Sequence, residues 1–372
     1  MEKAALKALT LSNGCHASIY CLFRQICRVV PLRNFVNTTL GKVIKVLQGG
    51  TMDLVIRKMR SQPEDFAAVV EIDNAVDPEH RYTVEQFRYD YENFDTQKYI
   101  LRYYLAEQEG KVVGYACYHH MPYRFHPQRF WVWLAVHPAF QGQGIGSALY
   151  NRIFPDLQEL SARWLHTSAR ETWIHSQKFL ERRGFREVRR SWEAHLDVAK
   201  FDPTPYEPQL EKLAKSGITI TTLAEEKERS QDWLAKIYEL HSVVMRDVPS
   251  SSPFTPVPLE HFQRFFMENP DLLPDAFFIA KDGDLYVGES FVFRVPAERG
   301  HLSQGLTGVR REYRGKGIAL ALKLHVIKYA KGRGYTLIKT WNDTENLPIL
   351  ALNEKLGFVR QPAWIEYEKV LP

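Results

Sequence analysis

The sequence has no long apolar run and few cysteines. Although 45% of its 372 residues are hydrophobic, no window offers the ~18 consecutive apolar residues that a membrane-spanning helix needs. Cys15, Cys21 and Cys27 lie near the N terminus, and only Cys117 follows them. A disulfide framework is therefore excluded for most of the chain, which favours a reducing compartment. We expect a cytoplasmic protein that does not associate with a membrane.

Most of the chain also lacks a surplus of positive charge. The net charge of +5 comes from 49 Lys and Arg against 44 Asp and Glu. Residues 1–51 hold seven of these basic residues and one of the acids, which leaves 42 basic and 43 acidic residues for the rest. A basic surface for nucleic acid is therefore not expected.

The first 51 residues are interpreted as a leader of doubtful status. They are poor in acids and have no strong helical or strand period, which is typical of transit peptides and of translated non-coding sequence. The segment Gln48–Thr51, directly before Met52, can be encoded by a purine-rich ribosome-binding run. We favour Met52 as the start, and a transit peptide or a genuine extension stays open.

An internal repeat with an offset of 173 residues organises the remainder. The first copy reads VHPAFQGQGIG from Val136 to Gly146, and the second reads VRREYRGKGIA from Val309 to Ala319. A Gly-Phe pair follows each at the same offset, beginning at Gly184 and Gly357. A constant offset over such a distance predicts two copies of one folded unit.

The repeat predicts two domains, at 52–197 and 217–372, joined by a proline-rich linker at 198–216. In each copy a first strand, two helices and a hairpin precede a strand that leads into the glycine motif, and a helix opens directly after it. Pro155 in the first copy is expected to end or kink that helix early. A strand, a helix and a final strand pair complete each copy.

The glycine motif predicts an anion-binding turn. A glycine-rich turn between a strand and a helix presents unpaired N–H groups at the positive end of the helix dipole, which suits phosphate. The dinucleotide pattern G-x-G-x-x-G is excluded, because Ser147 and Leu320 stand where its third glycine belongs. His119, His120 and His126 have no carboxylate or cysteine at a matching spacing, so no metal site is expected.

The string V-x-x-x-x-[QR]-G-x-G-x-[GA] resembles the signature of the GNAT N-acetyltransferase superfamily. The likeness covers essentially all of residues 52–372, in a layout similar to tandem members of that family. It implies an α/β (α+β) protein of two tandem GNAT domains, each a mixed, mostly antiparallel twisted sheet flanked by helices. It also implies acetyl-coenzyme A as co-substrate and an amine of a small molecule or peptide as acceptor, in a monomer or homodimer.

The resemblance further implies which residues bind acetyl-coenzyme A. The turn amides would hold the pyrophosphate, the strand before the turn would pair with the pantetheine arm, and asparagines after the next strand would contact the cofactor. Carried over to this sequence, the cofactor-binding residues are Val136, Gln141, Gly142, Gln143, Gly144, Ile145 and Gly146 in the first copy, and Val309, Arg314, Gly315, Lys316, Gly317, Ile318, Ala319, Asn346 and Asn353 in the second. Arg314 and Lys316 are expected to add positive charge beside the phosphates.

The catalytic groups are less well marked. The family commonly has a tyrosine acid four residues before the glycine of Gly-Phe, where this sequence has Leu180 and Asn353. Asn353 can donate a hydrogen bond but not a proton, and its expected role is to hold coenzyme A. Glu289, on the second hairpin, is a candidate base that would act through a water; a structural glutamate is the alternative.

Two further hypotheses concern the second copy. Catalysis is expected there, because the first copy has Ala169, Trp173 and Leu180 where the second has asparagines. The proline-rich segment 245–258 is a candidate wall of the acceptor site or a plain surface loop. The predicted activity is N-acyl transfer by direct attack of the amine on the thioester; the alternative is a non-catalytic acyl-coenzyme A-binding protein.

Overall fold

The computed structural model describes residues 54–372 together with the backbone of strand β1 (Ile44–Lys45). Most of the predicted leader and the predicted start at Met52 lie outside the described residues. The chain forms two compact units, and neither is continuous in sequence. Of the described residues, the N-terminal unit holds 54–189, 295–299 and 364–372, and the C-terminal unit holds 190–294 and 300–363.

The N-terminal unit is a mixed sheet with helices on its faces. Its strands are β2 (Leu54–Lys58), β3 (Leu101–Gln108), β4 (Lys111–His119), β5 (Arg129–Val136) and β6 (Trp164–Arg170). Its helices are α1 (Pro63–Val76), α2 (Val84–Glu92), α3 (Ile145–Glu159) and α4 (Ile174–Glu181). Neighbouring strands from β1 to β5 are antiparallel, and β5 and β6 are parallel.

The C-terminal unit repeats this order. Its strands are β7 (Arg186–Asp197), β8 (Ile218–Thr222), β9 (Phe278–Asp282), β10 (Leu285–Arg294), β11 (His301–Val309), β12 (Leu337–Asp343) and β13 (Val359–Arg360). The first four residues of β7, up to Arg189, are assigned to the N-terminal unit. Its helices are α5 (Glu207–Lys215), α6 (Leu223–Arg229), α7 (Trp233–Met245), α8 (Leu259–Phe262), α9 (Ile318–Gly332) and α10 (Leu347–Lys355). Helix α8 continues into a π-helical turn over Gln263–Met267. Strands β8 to β11 are antiparallel, and β11 and β12 are parallel.

The last strand of each sheet comes from the other copy of the repeat. Strand β7, which ends the first copy, pairs with β12 from Leu337↔Asp197 to Asp343↔Ser191. Strand β14 (Trp364–Val370), at the end of the chain, pairs with β6 from Trp364↔Arg170 to Val370↔Trp164. The contiguous domains predicted at 52–197 and 217–372 therefore differ from the compact units, because each sheet is completed by an exchanged strand.

The predicted linker at 198–216 is largely structured. A 3-10 turn at Thr204–Tyr206 precedes α5, and Leu213 of that helix is buried in the core of the C-terminal unit. Pro205 and Pro208 stand at the starts of these two elements, where a missing N–H costs no hydrogen bond. The prolines therefore begin regular structure here instead of preventing it.

Helix α3 also differs from its prediction. It continues past Pro155 to Glu159 and has the same length as α9, 15 residues. Its buried face, with Leu149, Ile153 and Leu157, packs in the core of the N-terminal unit. The free energy gained by burying that apolar face exceeds the cost of the one hydrogen bond that Pro155 removes. The prediction that the helix ends early at Pro155 was therefore wrong.

Candidate active site

In each unit an opening forms where two parallel strands separate. Strands β11 and β12 pair only over His301↔Leu337, Leu302↔Ile338 and Ser303↔Lys339. Strands β5 and β6 likewise pair only from Arg129↔Trp164 to Trp131↔His166. Beyond these pairs the strands continue without pairing to each other, so each sheet has a cleft at the carboxyl ends of two neighbouring strands.

The glycine turns close these clefts at the start of a long helix. Gly142, Gly144, Gly315 and Gly317 all have positive φ, between 76° and 84°, which other L residues rarely adopt. A Cβ placed on any of them would meet no atom within 4 Å. Helices α3 and α9 begin directly afterwards without a side-chain cap. Both turns therefore leave room and unpaired amides for an anion.

The residue before each turn holds the turn to the strand. Gln141 Nε2 donates to the carbonyl of Val136 at 2.9 Å, and Arg314 Nε donates to the carbonyl of Val309 at 3.0 Å. The sequence places either Gln or Arg here because both side chains can make this bond. Its effect is to fix the end of the strand relative to the turn.

Arg314 has a second partner that sequence reasoning missed. Asp247, after α7, accepts hydrogen bonds from Arg311 and Arg314. Burial raises the pKa of Asp247, but the hydrogen bonds and charges of the two arginines outweigh it and leave the pKa below its ordinary value. Arg314 is thus engaged within the protein, whereas Lys316 is exposed, with Nζ 4.4 Å from the centre of the Tyr313 ring.

Glu289 lies on β10 and is fully buried. Its Oε1 accepts a hydrogen bond from His241 Nδ1 of α7 at 2.9 Å. No hydrogen-bond partner for Oε2 is present in the described part of the chain. The His241 ring packs against Phe262 and Phe266, with centroids 5.3 and 5.1 Å away. An orienting histidine and a second oxygen without a partner suit a proton acceptor, and His241 could not be identified from sequence because the contact spans 48 residues.

The corresponding position in the first copy carries a different group. Gly288 pairs with Val309, and Gly114 pairs with Val136. A Cβ on Gly288 would lie 3.1 Å from Leu322 of α9, and a Cβ on Gly114 would lie 3.3 Å from Leu149 of α3. These glycines are therefore equivalent, and the next residue is Glu289 in one copy and Tyr115 in the other. Tyr115 donates its hydroxyl hydrogen to Asp73 Oδ1 at 2.6 Å. Burial raises its pKa well above the ordinary value, so it is a poor base.

The asparagines of the second copy are buried. Asn353 Nδ2 donates to Oδ1 of Asn342 at 2.6 Å. Asn353 Oδ1 has no partner within the described residues. Asn346 precedes α10 and is fully buried. The structure therefore brings Asn342 and Asn353 together, and Asn353 keeps one oxygen for another donor.

The cleft of the N-terminal unit is a cavity of 420 Å³. It reaches from the glycine turn along β5 to α4, and its walls include Trp133, Phe140, Trp173, Phe179 and Leu180. Trp173 and Leu180 stand at the positions of Asn346 and Asn353 in the fixed offset. The two copies thus share a turn and differ in the walls beside it.

No group of three or more His, Cys, Asp or Glu side chains is arranged for a metal ion among the described residues. Within residues 54–372, the helices are too short or too polar to cross a membrane.

Comparison with known proteins gives a consistent result. The model of the acetyltransferase (GNAT) family matches residues 66–185 and, separately, 235–358. The chain is 28% identical over 256 residues to a mycothiol acetyltransferase of Streptomyces bingchenggensis, covering 68% of this chain and 75% of that protein. A mycothiol acetyltransferase of Thermobispora bispora is 25% identical over 63% of this chain and 75% of its own length.

Solved structures show the same fold. A GCN5-related N-acetyltransferase from Sphaerobacter thermophilus superposes with a TM-score of 0.64 at 22% identity, covering 85% of this chain and 95% of its own. A tandem GNAT protein from the clavulanic acid biosynthesis pathway also superposes with a TM-score of 0.64, at 17% identity, and the match covers 85% of this chain and 98% of that protein's chain. Two tandem GNAT folds, each a mixed sheet flanked by helices, are therefore confirmed.

Proposed function

Because this chain belongs to the GNAT family of acetyltransferases, we propose that its C-terminal unit transfers an acetyl group from acetyl-coenzyme A to an amine. The observation that carries this proposal is the buried carboxylate of Glu289 on β10, whose Oε1 is hydrogen-bonded to His241 and whose Oε2 has no partner among the described residues. Tyr115, at the equivalent position of the first copy, is a phenol, and its hydroxyl donates a hydrogen bond to Asp73. The carboxylate of Glu289 has no counterpart at the equivalent position of the first copy, and this difference favours the C-terminal unit as the site of reaction.

The glycine turn of the C-terminal unit suits the pyrophosphate of coenzyme A. Its amides are uncapped, and the space around Gly315 and Gly317 is open. We assign the pyrophosphate to the amides of residues 315–319, and the pantetheine arm to the unpaired edge of β11 that ends at Val309. Lys316 adds an exposed charge at the turn, whereas Arg314 acts by holding the turn in place.

Side chains and backbone groups of the C-terminal unit would then accept the proton of the amine and stabilise the charge of the reacting carbonyl. When bound, acetyl-coenzyme A would supply a thioester carbonyl that an amine can attack, and coenzyme A would leave as its thiolate when the carbon–sulfur bond breaks. Glu289 is fully buried, so it would take the proton of the attacking amine through a water molecule. His241 holds the carboxylate in one orientation. The backbone N–H groups of β11 beyond Ser303 would stabilise the developing oxyanion, and Asn353 would hold the coenzyme through its remaining oxygen.

The acceptor side is the second part of the proposal. Residues 246–258, after α7, are largely irregular, and Tyr238 of that helix donates to the carbonyl of Val257 at 2.8 Å. We assign this fixed segment to one wall of the acceptor site. Since relatives carry the name mycothiol acetyltransferase, acetyl transfer connected with mycothiol is the first reaction to test, followed by a panel of small-molecule and peptide amines.

The experiment is an acetyl transfer assay with the full chain. Release of coenzyme A is followed with a thiol reagent, and the acetylated amine is identified by mass spectrometry. Calorimetric titration with acetyl-coenzyme A accompanies the assay. Product formation that depends on the C-terminal unit supports the proposal, and absence of coenzyme A binding at millimolar ligand contradicts it.

A further inference from the structure

The cleft of the N-terminal unit has walls that differ from those of its C-terminal counterpart. Where the second copy has Asn342, Asn346 and Asn353, the first has Ala169, Trp173 and Leu180. Coenzyme A carries two amides in its pantetheine arm, and burying an amide without a partner costs free energy. The replacements remove three side-chain amides and enlarge an apolar wall, which disfavours the pantetheine arm in this cleft.

The cavity is nevertheless of ligand size. Its 420 Å³ falls within the ~300–1,000 Å³ typical of small-molecule sites. Ser168, which lines it, is 5% exposed, and its Oγ has no hydrogen-bond partner in the described part of the chain. The cavity is thus mainly apolar, and its lining includes a buried serine without a hydrogen-bond partner, an arrangement that a ligand can complete.

The anion-binding end of the same cleft carries an additional cation. Arg183 Nη2 donates to Oγ of Ser147 at 2.8 Å, and Ser147 is the third residue of α3. The guanidinium carbon also lies 3.5 Å from the centre of the Phe179 ring, which lines the cavity. In the second copy Leu356 and Leu320 replace Arg183 and Ser147. Arg183 therefore has no counterpart in the second copy, where Arg314 and Lys316 stand in place of Gln141 and Gln143.

From these features we propose that the N-terminal cleft binds an anionic amphiphile, a single apolar chain that ends in a phosphate or carboxylate. The head group would lie at the amides of Gly144, Ile145 and Gly146, next to Arg183. The chain would fill the cavity between Trp133 and Leu180. This role replaces the expectation that the first turn holds acetyl-coenzyme A, while it keeps the turn as an anion site.

Titration calorimetry on the wild-type full chain tests the proposal with octyl phosphate below its critical micelle concentration. We expect one molecule bound per chain. Octan-1-ol should bind about tenfold or more weakly, because it lacks the charged head that the turn and Arg183 recognise. Octanoate identifies the head group: affinity equal to that of octyl phosphate indicates a carboxylate site, and weaker binding indicates a phosphate site.

Two matched substitutions locate the ligand. Leu180→Asn introduces the residue of the second copy and should weaken octyl phosphate roughly tenfold. Asn353→Leu, the reciprocal change in the other cleft, should leave its affinity unaltered. Arg183→Leu should weaken octyl phosphate but not octan-1-ol, a difference that general misfolding would not produce.

Competition with coenzyme A separates this proposal from the proposed function. Octyl phosphate should still bind when coenzyme A is saturating, and acetyl transfer should continue in its presence. Displacement of octyl phosphate by coenzyme A, one molecule for one, would overturn the proposal, as would no binding of octyl phosphate at all. Neither result would affect the assignment of acetyl transfer to the C-terminal unit.

Discussion

Replacing Glu289 with glutamine removes the proposed base and little else. Glutamine keeps the size of the side chain and an oxygen that can accept from His241, whose Nδ1 is 2.9 Å from Oε1 in the wild type. A general base contributes about 10²–10⁴-fold to rate. We therefore expect kcat for acetyl transfer to fall by about this factor, with coenzyme A affinity unchanged. Initial rates of coenzyme A release and calorimetric titration measure the two quantities.

The control for this variant is Tyr115→Phe at the equivalent position of the N-terminal unit. It removes the hydroxyl that bonds to Asp73 and should lower the free energy of unfolding by about 1 kcal/mol, without changing the rate. Wild-type activity in Glu289→Gln, or a large loss in Tyr115→Phe, would refute the reasoning.

Three further predictions concern stability, each measured by chemical denaturation. Since the folded-state pKa of Asp247 is lowered, its stabilising contribution is present above about pH 4 and lost as the pH falls through the folded value. Asp247→Asn should therefore destabilise the protein at pH 7, and this destabilisation should shrink progressively as the pH is lowered through the folded-state pKa. Gly305→Ala should lower the free energy of unfolding by about 1–3 kcal/mol, because the new Cβ would lie 2.0 Å from the Phe291 ring. In the control Gly332→Ala, the Cβ meets no atom within 4 Å, so stability should be unchanged or slightly higher. Equal effects of the two substitutions would contradict this. Pro155→Ala should restore a hydrogen bond inside α3 and stabilise by up to about 3 kcal/mol, and no gain would show that the helix has already adapted.

The repeated motif predicted the local structure of both clefts. A strand, a turn with two glycines and a helix are specified by neighbouring residues, so Gly142, Gly144, Gly315 and Gly317 have the positive φ that only glycine adopts easily. The positions of most strands were also predicted, but the final strand pair expected in the first copy is a single strand, β7. Short-range patterns determine these elements, and the sequence contains them in full.

The exchange of the final strands could not be predicted from such patterns. Strands β7 and β14 end equivalent copies, and the hydrophobic pattern of a strand does not specify which of two similar sheet edges it joins. The same limit applies to side-chain partners. His241 and Glu289, or Asp247 and Arg314, are 48 and 67 residues apart, so their contacts depend on how α7 packs on the sheet.

The two glycine turns allow the central claim to be tested by one matched comparison. Gly144 and Gly317 have φ of 83° and 84°, and a Cβ on either meets no atom within 4 Å. Gly144→Trp and Gly317→Trp therefore introduce the same backbone strain, about 1–2 kcal/mol, and each blocks one cleft. Measured under identical conditions, Gly317→Trp should abolish acetyl transfer while Gly144→Trp keeps most of it. Equal loss in both variants, or loss only in Gly144→Trp, would contradict catalysis in the C-terminal unit.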